Sequence, residues 1–133
     1  MTKRQYIPAM KREILYLIVE KAVVRSNGDS ENMDEVAKEL KGPFKDDSGY
    51  HFLVSRSGAL MADRQLQLPA DAATYYNAEG IAIGYVVTQD ESGATQKISN
   101  EQLATVRTAV TVLQRVFPKA SVKSKLTLEP SDN

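Results

Sequence analysis

The sequence predicts an α/β domain in which helices flank a mixed central β-sheet. Two observations support this: short apolar runs typical of buried strands recur along the chain, and two amphipathic helix patterns lie between them. Their order is strand, helix, hairpin, strand, helix, strand. A chain of 133 residues suits one domain. We therefore expect residues 1–133 to form a single unit, with a flexible lead-in over 1–12 and a flexible tail over 129–133.

The composition narrows the functions open to this chain. Apolar residues make up 42% of it, and 17 Lys and Arg balance 17 Asp and Glu. A net charge of zero gives no long-range attraction toward nucleic acid or an anionic membrane, so we expect neither as a partner. The sequence has no cysteine and one histidine, His51. This excludes disulfides, thiolate metal ligands and cysteine nucleophiles from these 133 residues.

The first apolar run, Ile14–Val19, predicts a strand that is buried on both faces. A secretory signal needs an apolar stretch of about 7–15 residues followed by small residues, and a membrane span needs about 20 apolar residues. This run is shorter than either and stops at Glu20-Lys21. We therefore expect no signal peptide, no transmembrane segment and a cytoplasmic location.

Capping signals mark the two predicted helices. Asn32 is a good N-cap and is followed three residues later by Glu35, while Ser99 and Gln102 form the same arrangement ahead of the second helix, which Pro118 ends. Apolar residues then recur at helical spacing and predict one buried face for each helix: Met33, Val36, Ala37 and Leu40 in the first, and Leu103, Val106, Val110, Leu113 and Phe117 in the second.

The remaining strands follow from alternation and turn residues. Tyr50–Val54 predicts a strand, and a turn ending at a glycine leads to a returning strand over Ala59–Leu66. We expect residues 67–79 to be irregular and Ile81–Val87 to be a buried strand. Ser121–Leu128 alternates polar and apolar residues and predicts an edge strand whose lysines discourage further pairing.

The segment Gly49–Gly58, GYHFLVSRSG, resembles the G-Y-H-[FY]-x-[IV]-x-[RK]-x-G hairpin of phage-lysozyme-type N-acetylmuramoyl-L-alanine amidases. Peptidoglycan recognition proteins share the fold of that family. The resemblance covers Ile14 to Val122 and implies an amidase-like α/β fold. Further pieces match the family in the same order: Leu15–Val19, Asn32–Leu40, Tyr76-Asn77 with Gly80–Gly84, Ser99–Gln102 and Arg115–Pro118.

The departures from the family pattern concern its zinc site. The family's first strand ends in a zinc-binding histidine, and Glu20 or Lys21 stands there in this sequence. Asp71–Thr74 occupies the place of a G-[SA]-H segment, and Val122–Lys125 occupies the place of the G-H that precedes the third ligand. The resemblance therefore implies a zinc amidase fold that has lost its ligands. Because zinc activates the attacking water in such enzymes, we expect no metal, no cofactor and no working zinc hydrolase.

Candidate ligand-binding residues follow from the same comparison. Tyr50 matches a residue that the family places near the reacting carbonyl, which makes it a vestigial catalytic candidate, although a sheet tyrosine with a bonded hydroxyl is an equal alternative. The others stand at lost ligand positions or on the irregular segment, where their alternatives are salt bridging and loop anchoring. The full set is Tyr50, Glu20, Asp71, Tyr75, Tyr76 and Asn77.

His51 lies inside the predicted strand, on the opposite face from Tyr50, and has no partner histidine, so we expect a structural role for it. The first functional interpretation is a catalytically inactive amidase relative that binds a peptidoglycan fragment (a muropeptide) or a protein partner. One alternative is an active peptidoglycan amidase with an atypical site. Another is a structural scaffold protein of phage or mobile-element origin. Nothing in the sequence indicates an oligomeric state.

Overall fold

The computed structural model describes residues 12–25, 31–72, 76–126 and 128. The predicted tail, Tyr75 and nearly all of the predicted lead-in lie outside the described residues. The elements are, in chain order, β1 (Tyr16–Val24), α1 (Met33–Lys41), β2 (Phe52–Val54), β3 (Leu60–Ala62), a 3₁₀ turn (Asn77–Glu79), β4 (Gly80–Thr88), α2 (Asn100–Val116) and β5 (Ser121–Ser124). None of the described helices has the length and apolar character to cross a membrane.

The described strands form one mixed sheet in the order β3-β2-β4-β1-β5. β1 lies between β4 and β5 and is parallel to both, while β2 is parallel to β4 and antiparallel to β3. The mixed α/β architecture predicted from the sequence is therefore confirmed. The central strands β1 and β4 each have nine residues, and the outer strands have three or four.

Each face of the sheet has its own apolar core, because side chains alternate along β1 and β4. Leu17 and Val19 of β1 point toward α2, and Ala22 and Val24 point toward α1. Their neighbours extend each cluster: Ile81, Ile83, Val106 and Val110 on the α2 side, and Val36, Tyr50, Leu53, Ala82 and Val86 on the α1 side.

The capping signals operate as predicted. Asn32 accepts a hydrogen bond from the N–H of Glu35, and Ser99 and Gln102 form a complete capping box at the start of α2. Gln102 also has a role that its position in the sequence does not indicate. It is fully buried, and its side-chain amide donates to the carbonyls of Val54 and Val86 at 3.1 and 2.7 Å. The cap residue therefore joins α2 to two strands of the sheet.

Several predicted strand limits were wrong. β1 does not end at Val19 but continues to Val24, because Ala22 and Val24 are buried under α1 while β1 stays paired with β4. β5 ends at Ser124 rather than Leu128, since Leu126 and Leu128 turn to pack against the α2-side core. β2 begins only at Phe52, and the returning strand β3 spans three residues, most of them exposed.

Candidate functional site

A cavity of about 860 Å³ lies beside the middle of β1, at the point where its pairing with β5 ends. β5 pairs with β1 only over Tyr16–Val19, so among the described residues the rest of β1 has a strand partner on one side alone. Ile18 and Glu20 point to one face of the sheet and Val19 and Lys21 to the other, yet all four line this cavity. It therefore extends over the edge of β1, and we call it the β1-end cavity.

Tyr76 and Lys123 line one wall of the β1-end cavity, and Tyr16 contacts both without lining it. The rings of Tyr16 and Tyr76 lie 4.4 Å apart, and Lys123 Nζ lies 5.6 and 5.4 Å from their centroids. Both distances are within the range of a cation–π contact. Tyr76 has a backbone φ of 70°, the left-handed region that costs a non-glycine residue on the order of 1 kcal/mol. Its ring is 46% exposed, so it remains available to a ligand.

Glu20 is the carboxylate of the β1-end cavity. Its Oε1 atom is buried and has no hydrogen-bond partner among the described residues. Burial raises the pKa of Glu20, and the nearby Lys125 charge acts in the opposite direction. A solvated or ion-paired side chain was the alternative considered for Glu20 from the sequence. Neither alternative accounts for the buried Oε1 atom. The buried oxygen can accept a hydrogen bond from a ligand.

Tyr50 lies beneath this region, in the core between the sheet and α1, and is 8% exposed. A Cβ at Gly84 would stand 2.8 Å from Tyr50 Cδ1, so the ring packs on a strand position that has room only for glycine. Its hydroxyl donates to the Lys21 carbonyl at 3.1 Å. Burial, followed by the charge of Glu20, raises the pKa of Tyr50 to about 12, so the phenol stays protonated.

His51 has the structural role expected for it. The imidazole is fully buried, and its Nδ1 accepts from the N–H of Ala82 at 3.0 Å, in place of a strand carbonyl. Its Nε2 therefore carries the proton and donates to the Leu68 carbonyl at 2.8 Å. Burial, together with the adjacent Arg12 and Arg64 charges, lowers the pKa of His51 to about 4. Both ring nitrogens are occupied, which leaves neither for a metal.

The other candidate residues are distributed around the sheet. Of the predicted set, Glu20 and Tyr76 line the β1-end cavity, whereas Tyr50, Asp71 and Asn77 do not. The exposed Asp71 is held through its backbone: its N–H donates to Gly49 and its carbonyl accepts from Lys45. Asn77 begins the 3₁₀ turn, and its carbonyl accepts from the N–H of Ala70. Tyr75 lies outside the described residues.

The residues present do not fit a zinc ion. Among the described residues, no three His, Cys, Asp or Glu side chains are grouped so that they could hold one metal. Glu20 stands where the amidase resemblance places a ligand, but the charged residues that share its cavity are four lysines: Lys21, Lys97, Lys123 and Lys125. Such a site attracts anions rather than cations. Lys97 and Tyr85 also line the cavity and were not among the residues singled out from the sequence.

A second cavity, of about 440 Å³, lies between α2 and the β2–β3 hairpin. Its lining is apolar apart from Thr105 and Thr108, and it contains no titratable side chain. It therefore provides a hydrophobic surface but no acid, base or nucleophile for chemistry. The β1-end cavity is the better candidate for a functional site because it combines charge, aromatic surface and an unpartnered polar atom.

No protein-family model matches the chain, and no curated protein sequence matches it. Solved structures do. An endolysin N-acetylmuramoyl-L-alanine amidase, LysCS from Clostridium intestinale, is similar with a TM-score of 0.62 and 17% identity, over 93% of this chain and 77% of that one.

Peptidoglycan recognition proteins are similar to the same extent. Drosophila PGRP-LB has a TM-score of 0.65 at 14% identity, over 92% of this chain and 75% of that one. The ectodomain complex of PGRP-LCa and PGRP-LCx with bound tracheal cytotoxin has a TM-score of 0.64 at 16% identity, over 96% of this chain and 80% of that one. The chain therefore has the fold of N-acetylmuramoyl-L-alanine amidases and peptidoglycan recognition proteins.

Proposed function

We propose that this protein binds a peptidoglycan fragment in the β1-end cavity and does not hydrolyse it by a zinc mechanism. The observation that carries the proposal is the β1-end cavity itself. An open, partly aromatic cavity of about 860 Å³ lies beside the middle of the first strand, and Glu20 and four lysines line it. Such a site can bind without supplying an activated water.

The chemistry of the cavity suits a muropeptide. The exposed Tyr76 ring beside Tyr16 offers an apolar face on which a sugar ring can pack. Four lysines surround the opening and suit the carboxylates of the peptide part. The buried oxygen of Glu20 is an unused acceptor for a hydroxyl or amide donor. The similarity to a complex of PGRP-LCa and PGRP-LCx with bound tracheal cytotoxin adds support at the level of the fold.

Binding is tested with insoluble peptidoglycan in a pull-down and with soluble disaccharide-peptides by calorimetry. Tyr76→Asn removes the ring but retains a residue that tolerates the left-handed backbone, so the fold is preserved. We expect it to weaken binding by about tenfold, the size of a lost aromatic anchor. The matched control is Phe44→Ala, which removes a ring that is 95% exposed and does not line the cavity.

Absence of binding by the wild-type protein would refute the proposal, and equal losses from both variants would place the binding site elsewhere. Hydrolysis is tested separately by dye release from labelled cell walls, with and without added zinc. We expect no release in either case. Release that a chelator abolishes would mean that the protein is an active amidase with an atypical site.

A further inference from the structure

The backbone edge of β1 beyond the end of β5 has no strand partner among the described residues. The Leu15 carbonyl accepts from the N–H of Ser121, so odd-numbered residues of β1 direct their polar groups toward β5. β5 ends opposite Val19, which leaves Lys21 and Val23 without a strand partner on that side among the described residues. We call Lys21–Val23 the open edge. Of its outward groups, the Lys21 carbonyl bonds with the Tyr50 hydroxyl.

Among the described residues, no strand covers this edge. Natural sheets cover or bend an edge that would otherwise accept another strand. Here the β1-end cavity extends across the edge beyond Ser124, and its lining includes residues from both faces of β1. In the part of the chain that the structure describes, the sheet is therefore open at the place where β5 would continue. An extended chain that entered there would continue β5 and pair with β1.

The surrounding charge selects the kind of chain. Lysines 21, 97, 123 and 125 line the cavity, against one carboxylate, Glu20. Lys21 is held by the hydroxyl of Thr95 and Lys123 lies over two tyrosine rings, so these two cations are already positioned. An extended segment with acidic side chains would meet four positive charges, whereas a basic segment would be repelled.

We propose that the open edge of β1 binds an extended, acidic polypeptide segment of a protein partner by β-strand addition. The partner's backbone bonds with Lys21 and Val23, and its carboxylates face the lysines of the β1-end cavity. This inference goes beyond the proposed binding of a peptidoglycan fragment, because it depends on the backbone of β1 rather than on the aromatic wall.

The probe is the peptide acetyl-Val-Glu-Val-Glu-Val-Glu-amide, titrated into the full chain. Two control peptides separate the two contributions: one has Lys in place of Glu, and the other is N-methylated at alternate backbone nitrogens. We expect both controls to bind at least about tenfold more weakly, since one lacks the charge match and the other lacks backbone donors. On the protein side, Lys123→Glu with Lys125→Glu should weaken binding similarly, and Lys38→Glu, at an exposed position on α1, should not.

Amide hydrogen exchange provides the decisive measurement. Binding of the acidic peptide should slow the exchange of the Lys21 and Val23 N–H groups at least about tenfold, because the added strand would accept hydrogen bonds from them or exclude water from them. No peptide binding, or binding that leaves both amides unprotected, would overturn the inference. Binding of muropeptides without binding of the peptide would refute this inference alone. The reverse result would refute the proposed function and leave this inference standing.

Discussion

The Tyr50 hydroxyl donates a hydrogen bond to the Lys21 carbonyl at 3.1 Å and so links the segment before β2 to the carboxyl half of β1. The ring reaches Lys21 by crossing β4 at Gly84. This contact supports the residues on which both proposals depend, because Glu20 and the open edge adjoin the bonded carbonyl. Tyr50 therefore positions the β1-end cavity without lining it.

Tyr50→Phe should lower the free energy of unfolding by about 1 kcal/mol, the usual net value of one hydrogen bond. The ring and its packing are retained, so the loss reports the bond with Lys21 alone. Urea unfolding followed by circular dichroism measures the change. Tyr16→Phe is the control, because the Tyr16 hydroxyl makes no hydrogen bond with another described residue. An equal loss in both variants would contradict the role given to the Tyr50–Lys21 contact.

Gly84→Ala should destabilise the protein by about 1–3 kcal/mol, the usual cost of overpacking a core. The added Cβ would lie 2.8 Å from Tyr50 Cδ1 and 3.0 Å from the Cβ of Ala22. Thermal unfolding measures the effect. In a Tyr50→Leu background the same substitution should cost less, since the ring that it meets is gone. Additive effects of the two substitutions would show that the ring does not rest on Gly84.

Stability should fall as the pH drops from about 6.5 toward 4, because of His51. Burial holds its folded pKa at about 4, while the unfolded value is about 6.5. Between these two pKa values the imidazole is protonated in the unfolded state and neutral in the folded state. The free energy of unfolding therefore decreases by up to about 1.4 kcal/mol for each pH unit of acidification in this range. Urea unfolding at several pH values tests this.

His51 is the one histidine in the sequence, so its NMR titration is unambiguous. A folded-state pKa near 6.5 would contradict the prediction. His51→Gln provides a second test. This variant should be less stable at pH 7, because it loses the ring that bonds with Ala82 and Leu68. Its stability should nevertheless change less than that of the wild type between pH 6.5 and 4, because glutamine does not titrate.

Glu20→Gln should leave stability at pH 7 unchanged or raise it by less than about 1 kcal/mol. Burial raises the pKa of Glu20 in the folded state. The protonated carboxyl group is therefore more favourable to folding than the charged carboxylate, and this contribution to stability is lost as the pH rises through the folded pKa. The gain from Gln should therefore be larger at pH 7 than at pH 4. Glu91→Gln, at an exposed loop position, is the control. A substantial loss at pH 7 would mean that Glu20 is stabilised by a partner in the folded state.

Zinc should not remain bound after the protein is mixed with an equimolar amount of the metal and dialysed. His51 has both nitrogens occupied, and no three candidate ligands are grouped among the described residues. Elemental analysis by mass spectrometry measures the metal that is retained. Retention of about one zinc per chain would show that a ligand set exists that the described residues do not reveal.

Local signals predicted much of the fold. The N-caps Asn32 and Ser99 lie where the sequence places them, because capping depends on residues within one helical turn. The strand limits were less accurate. The charged pair Glu20-Lys21 appeared to end β1, but at this position one side chain points to each face and the backbone pairing with β4 continues. Charged residues in a sequence therefore do not show where a strand ends, because their side chains can reach solvent while the backbone pairing continues.

The candidate site was predicted only in part, for the same reason. Glu20 and Tyr76 were singled out and line the cavity. Tyr16, which packs against Tyr76, was assigned to a strand without a role at the site. Its contact with Tyr76 joins residues 60 positions apart, and the ring of Tyr76 reaches it from a left-handed backbone position. No local pattern encodes such a contact.

By itself, the sequence determined the class of fold, the two capped helices and the supply of chemical groups: one imidazole, no thiol and balanced charge. These depend on composition and on interactions within a few residues. Only the tertiary structure decided that β5 stops opposite Val19, that Tyr50 packs on Gly84 and that four lysines share a cavity with Glu20. These relationships depend on strand register and on side-chain packing between segments that are far apart in the sequence, and no local pattern specifies either of them.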